Sequence, residues 1–294
     1  MENRYLNWLL FITLSIIWGS SFILMKAGMN GLSSVQVASL RIVSAGMVLL
    51  PLAIRNIKKV PLKLYPAVFL SGTLGSLLPA YLFCIAEEVV DSSLAGMLNA
   101  LTPIFVILTG LAFFQAQTNV RKVLGVCIAF FGCVIIFLGN ATLMQDGHWG
   151  YVALIFFATI SYGLNVNLVH RYLKDIPSLQ IVSLAMAMIA IPAFVVLTCS
   201  HYFQKDLLGS AVVKATGFSF LLGIVGTSLA NYLFYVLIKR AGTIFSSMVT
   251  YGIPFVAMLW GVIFKEQLTL LKIGGLIVIL MGVYLANAPS RRGS

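Results

Sequence analysis

Apolar runs of about 20 residues recur along the whole chain, and nothing constrains its fold more. Residues 6–28, 35–54, 65–86, 93–115, 121–140, 149–170, 178–199, 215–238, 243–265 and 270–288 are each apolar and bounded by Gly, Pro, Asn or clustered charge. A bilayer's hydrocarbon core is about 30 Å thick, which an α-helix crosses in about 20 residues. Lipid offers no hydrogen-bond partners, so a spanning segment satisfies its backbone within a helix or within a closed barrel. Barrel strands alternate apolar and polar residues over about ten positions, and that alternation does not occur here. The pattern predicts an all-α polytopic membrane protein with ten transmembrane helices. Only 9% of its 294 residues are charged, against about a quarter in soluble domains, and no connection is long enough to fold separately. Arg4 precedes the first run in the manner of a signal peptide. That run is too long for a signal's apolar region and lacks a small-residue cleavage site, so it is expected to be retained.

The formal net charge is +11. In membrane proteins basic residues gather in cytoplasmic loops, which accounts for this excess without a nucleic-acid partner. With the N-terminus inside, the inner segments carry Arg4, Arg55, Lys58, Lys59, Lys63, Arg121, Lys122, Arg171, Lys174, Lys239, Arg240, Arg291 and Arg292. These are 13 of the 19 Lys and Arg residues, opposed only by Glu2 and Asp175. The outer segments hold Lys205, Lys214, Lys265 and Lys272 together with Glu87, Glu88, Asp91, Asp146, Asp206 and Glu266. Both termini are expected in the cytoplasm. Cys84, Cys127, Cys133 and Cys199 match no metal or redox spacing, so they read as packing residues and no cofactor is expected.

The chain also repeats itself. FLSGTLGSLLPAYLF (69–83) aligns with FLLGIVGTSLANYLF (220–234) at an offset of 151. The same offset carries Met97 onto Met248, Pro103 onto Pro254, Gly110 onto Gly261 and Gln115 onto Glu266. Gly125 and Gly132 fall on Gly275 and Gly282 at offset 150, and Trp18-Gly19 on Tyr162-Gly163 at offset 144. Two five-helix repeats follow, over residues 1–140 and 141–290. Five is odd, so the second repeat enters the membrane from the opposite side. Inverted repeats of this kind characterise secondary transporters, whose sites lie near the midplane between the halves.

The chain resembles the ten-helix, EamA-type members of the drug/metabolite transporter superfamily over essentially its whole length. The resemblance is carried by WGSSF (18–22), SLRIVSAG (39–46), LTPIFVILTGLAFF (101–114) and the run from Ile253 to Leu285. It implies a secondary transporter of small organic metabolites such as amino acids, exporting them by alternating access from a bacterial-type inner membrane. In the family pattern an acid often closes helix nine, as Glu266 does here, whereas the first half has Gln115. Small four-helix relatives couple protons through a glutamate in helix one. Here Trp18, Gly19, Ser20 and Ser21 stand in its place, so that mechanism does not carry over.

Several residues point to a site. Pro103 and Pro254 occupy matched positions near the centres of helices four and nine. Proline removes a backbone hydrogen bond, and matched interruptions are the best sequence pointer to a transporter's moving elements; static kinks are the other reading. Tyr81, Asn99, Asn165, Asn231, Tyr232 and Tyr251 cluster at similar depths with Trp18 and Tyr162. Asparagine in hydrocarbon needs a partner, so these should face the bundle interior. They read as a polar-walled cavity, with interhelical bonding as the alternative for each alone. Gly19, Ser20 and Ser21 read either as cavity wall or as a packing notch. Arg41 either binds a carboxylate or phosphate or snorkels to headgroups. Lys26 and His170 end helices one and six, as snorkelling groups or as gate residues together with Glu266. The paired glycines of helices five and ten suit close packing within one protomer, or a homodimer contact.

A lipid-linked sugar or phospholipid flippase would need a lateral opening, and a non-transporting scaffold would not need paired midplane prolines. An enzyme is not expected: His148, His170 and His201 are scattered, and no H-E-x-x-H or G-x-S-x-G motif occurs.

Overall fold

A computed structural model describes residues 4–115, 119–139 and 148–287. The described residues form helices and no strand. In chain order they are α1 (Arg4–Met29), α2 (Ser34–Asn56), α3 (Leu62–Ala86), α4 (Ser92–Phe113) and α5 (Val120–Leu138). After residues 140–147 come α6 (Trp149–Tyr172), α7 (Ser178–Cys199), α8 (Ser210–Gly242), α9 (Phe245–Ile263) and α10 (Leu270–Asn287). Eight of these, all but α5 and α10, are long and apolar enough to cross a membrane; α10 is a shorter apolar helix. The expected limits are met closely except for α8, which begins five residues earlier, at Ser210, than the apolar run suggested. Glu2, Asp146, Arg291 and Arg292, and the last residues of the fifth and tenth expected spans, lie outside the described residues.

The ends of the helices follow local chemistry. At α2, Ser33 Oγ accepts from the Gln36 amide while Gln36 Oε1 accepts from the Ser33 amide, a reciprocal cap. Gly242, at φ 79°, turns the chain between α8 and α9, a conformation that a Cβ would oppose. Gln115 and Lys265, both near φ 60°, close α4 and α9 in the left-handed region. They stand 150 positions apart, the offset that also relates Gly125 and Gly132 to Gly275 and Gly282.

Two helix pairs form the sides of the bundle. α5 lies against α10, and α2 against α7. The α5–α10 seam is built on the glycines: a Cβ on Gly132 would stand 2.7 Å from the Gly275 carbonyl oxygen, and one on Gly282 2.6 Å from that of Gly125. The close approach expected of these residues therefore occurs within a single chain. Between the two pairs, α1 packs on α9 and α8, while α6 packs on α4 and α3.

Neighbouring glycines test this seam. A Cβ at Gly275 would meet Ile136 Cγ1 at 2.5 Å, whereas Gly274 has nothing within 4 Å. Gly275→Ala is expected to destabilise the protein by about 1–3 kcal/mol through overpacking. Gly274→Ala should be neutral or stabilising by up to about 1 kcal/mol. Thermal unfolding in detergent separates the two outcomes.

Candidate functional site

The long helices are interrupted near their middles, and the interruptions face one another. α3 carries a π-helical stretch at Thr73–Leu77 and α8 one at Leu222–Leu229. Wide turns of this kind leave carbonyls out of the regular ladder and recur at functional sites. In α8, hydroxyls take up the freed groups: Thr227 Oγ1 donates to the Leu222 carbonyl at 3.2 Å, and Ser228 Oγ to that of Gly223 at 3.1 Å. In α4 the helix breaks at Ala100–Leu101, and Pro103 sits in the first turn of the segment Thr102–Phe113. Proline is tolerated there because its missing N–H would have no helical partner. Thr102 Oγ1 donates to the Asn99 carbonyl at 2.8 Å, closing the break. α9 turns at Met248, and Pro254 lies inside the following helix Val249–Ile263. Ser15 Oγ of α1 donates to the Val249 carbonyl at 3.1 Å.

A cavity opens among these interruptions, lined by α1, α2, α3, α4, α6, α8 and α9. It offers about 60 Å³ to the centres of water-sized molecules. Of the expected residues, Trp18, Ser21, Arg41, Asn99, Tyr162, Asn165 and Asn231 line it. Trp18 Nε1 donates to the Gly226 carbonyl in the π turn at 3.1 Å, and its ring meets Phe234 edge-on at 5.0 Å. Asn231 Nδ2 donates to Ser76 Oγ at 2.8 Å, joining α8 to α3. Asn165 Oδ1 accepts from Ser71 Oγ at 2.9 Å, and its Nδ2 donates to the Tyr235 hydroxyl at 3.3 Å. Buried Arg41 donates from Nε to Thr227 Oγ1 at 2.8 Å.

Other expected residues lie outside the lining. A Cβ on Gly19 would stand 2.9 Å from the Ile253 carbonyl oxygen, so Gly19 packs α1 on α9. Ser20 Oγ accepts from Trp260 Nε1 at 2.9 Å. The notch and the wall thus share one stretch, on opposite faces of α1. The Tyr81 hydroxyl is bonded to Ser39 Oγ at 2.7 Å, which turns it toward α2. Tyr232 and Tyr251 are half-buried against the core. His170 is exposed beside Lys174 and Lys239 at a second recess. Asn167 serves the bundle, donating to the Val106 carbonyl at 2.8 Å and to Thr109 Oγ1 at 3.1 Å.

Lys26 and Glu266, expected as gate residues, belong to a larger cluster of charges at the ends of α1, α3, α4 and α10. Glu266 accepts from the backbone amides of Ser92 and Ser93 at 3.1 and 2.9 Å, capping α4 from another loop. Lys26 Nζ stands 3.7 Å from Glu266 and 3.8 Å from Asp91. Buried Lys272 reaches Asp91 at 3.3 Å and the Gln267 carbonyl at 2.8 Å. Glu87 is fully buried beside them. Its Oε2 accepts from Ser92 Oγ at 3.1 Å, and its Oε1 has no protein partner. Burial pushes the Glu87 carboxyl well above the usual carboxylate range, and the charge on Glu266 adds to this; Ser92, Lys26 and Arg41 oppose it. Glu87 follows α3 directly, so only its solvent-excluded setting, invisible in the sequence, marks it out.

A family model described as the EamA-like transporter family matches residues 6–138 and 149–288. An uncharacterized transporter of Archaeoglobus fulgidus is 26% identical over 283 residues, covering 95% of this chain and 98% of its own. An uncharacterized inner membrane transporter of Escherichia coli, YedA, is 26% identical over 84% of this chain and 79% of its own. A Salmonella typhimurium protein named "probable amino-acid metabolite efflux pump" is 22% identical over 92% of this chain and 91% of its own. One solved crystal structure superposes with a TM-score of 0.64 at 15% identity, covering 95% of each chain.

The folded carboxyl of Glu87 binds its proton more tightly than the ordinary value of 4.5. It therefore favours the folded state at low pH, and that contribution is lost as pH rises from about 4.5 toward the raised folded value. Glu87→Gln keeps a neutral acceptor for Ser92. Between pH 5 and pH 8 the variant's melting temperature in detergent should fall less than that of the unmodified protein.

Proposed function

Because the chain belongs to the EamA-like transporter family, we propose that it exports a small organic metabolite, such as an amino acid, by alternating access around the central cavity. One observation carries the reading: the cavity is walled by aromatic rings and amides drawn from both halves of the chain, where seven helices meet. Flat rings with polar tips suit substrates that combine an apolar body with a few polar groups. The relatives named as efflux pumps support metabolite and direction, and the relatives named as inner membrane transporters support a bacterial-type inner membrane.

The architecture of this transporter is ten spans, with α5 and α10 crossing beside the other eight, and two inverted repeats over residues 1–140 and 141–290. Exchange of the halves maps the main helix pairings onto one another or onto themselves. The α1–α9 pairing becomes α6–α4, α1–α8 becomes α6–α3, and α5–α10 and α2–α7 map onto themselves. The π turns of α3 and α8 fall at aligned positions, as do Gly19 against Val256 and Gly163 against Phe105. Loop charge directs both termini to the cytoplasm. Pro103 and Pro254, beside the breaks in α4 and α9, are the hinges. Lys26 and Glu266 hold the gate at one end of the cavity. His170 stands at the far end of α6, on the opposite gate.

Transport is tested by efflux of a pooled metabolite library from proteoliposomes. For a substrate found in this way, Trp18→Ala should raise the half-saturation concentration about tenfold, equivalent to ~1.4 kcal/mol. Tyr81→Phe, whose ring lies outside the lining, should leave it unchanged. Equal kinetics for Trp18→Ala and the unmodified protein would remove the cavity from the mechanism.

A further inference from the structure

The cavity wall contains a single ionised side chain. Arg41 is the one Lys or Arg among its lining residues, and none of them is Asp or Glu. Arg41 stands in the second turn of α2, 8% exposed, and reaches across to α1 and α8. Its Nε is fixed by Thr227 Oγ1 in the π turn at 2.8 Å. Thr227 spends its own proton on the Leu222 carbonyl, so its oxygen is left as a pure acceptor for Arg41. Fixing Nε sets the plane of the guanidinium and leaves its outer edge for something else.

That edge has no adequate protein partner. Nη1 touches only the Met25 sulfur, at 3.6 Å, and a thioether is a weak acceptor. Nη2 has no acceptor among the described residues, yet it is not a sealed, unsatisfied atom, so it borders the cavity. The ion pairs among the described residues involve Lys26 and Lys272, not Arg41. Glu87 is near enough to be felt by Arg41, but burial holds its carboxyl toward the neutral form. A buried, fixed guanidinium without a counter-charge is costly, and a planar carboxylate matches its fork.

We infer that Arg41 is the floor of an anion subsite, and that the cavity selects small organic monoanions: a carboxylate carried on an apolar or aromatic body. This rests on the transporter reading above and narrows its substrate class. One fixed positive charge balances one negative charge, so a phosphate dianion would bring a second charge with nothing to meet it. The rings of Trp18, Phe234 and Tyr162 receive the apolar body. The ammonium group of an amino acid meets amide and hydroxyl oxygens and ring faces, but no carboxylate among the lining residues. Zwitterions therefore rank below the corresponding simple acid, and cations rank last.

Four probes of similar shape separate these cases: benzoate, benzamide, phenylglycine and benzylamine. Their binding to the purified full-length protein in detergent is measured by calorimetry at pH 7. Benzoate is expected to bind at least about tenfold more tightly than benzamide, with phenylglycine between them and benzylamine weakest. R41Q should abolish the preference for benzoate over benzamide, R41K should retain part of it, and E87Q should leave it unchanged. Equal binding of benzoate and benzamide by the unmodified protein overturns the proposal, and needs no variant to fold. A benzoate preference that survives in folded R41Q, or that appears only in E87Q, overturns it as well. The transport reading fails by a different result: no library compound crosses in proteoliposomes, even while benzoate binds through Arg41.

Discussion

Hydrocarbon supplies no hydrogen bonds, and the centre of this protein is organised by how its backbone meets that condition. Where α3 and α8 widen into π turns and α4 breaks before Pro103, carbonyls leave the helical ladder. Each repair comes from a nearby hydroxyl or from a ring of the next helix. Thr227 and Ser228 reach back five residues, Thr102 reaches back three, and Trp18 crosses from α1. The groups that make these repairs are polar, so the repaired region becomes a polar cavity in an otherwise apolar bundle.

The helices divide the work. α5 with α10 and α2 with α7 make long seams in which backbones nearly touch. Dispersion over such a seam is the main cohesive force when lipid is as apolar as the side chains. α1, α4, α6 and α9 carry the interruptions or face them, and they pack on each other through small residues such as Gly19 and Gly163.

Charge is distributed on the same logic. Lys26, Asp91, Glu266 and Lys272 satisfy one another where helices end, and Glu266 also neutralises the exposed amides at the start of α4. Glu87 joins them as a buried acid whose desolvation raises its affinity for a proton. Arg41 stands apart, in the cavity wall, without a carboxylate in contact.

The periodic apolar runs determined the helices to within a few residues, because span length is a property of the bilayer and needs no tertiary information. Self-alignment exposed the paired prolines and glycines for the same reason: it compares the chain with itself. Facing was less legible. Trp18, Asn165 and Asn231 line the cavity, but Gly19, Ser20 and Tyr81 share their depth and point elsewhere. The π turns had only a faint signal, a glycine beside Ser or Thr at Gly75 and Gly226. The sequence by itself thus decided that the chain spans a membrane, where its helices run and that its halves repeat. Only the tertiary structure decided which polar groups meet at the cavity, that Glu87 is buried and that Arg41 has no carboxylate partner among the described residues. Those outcomes depend on the rotation of each helix about its own axis, and that is set by its neighbours.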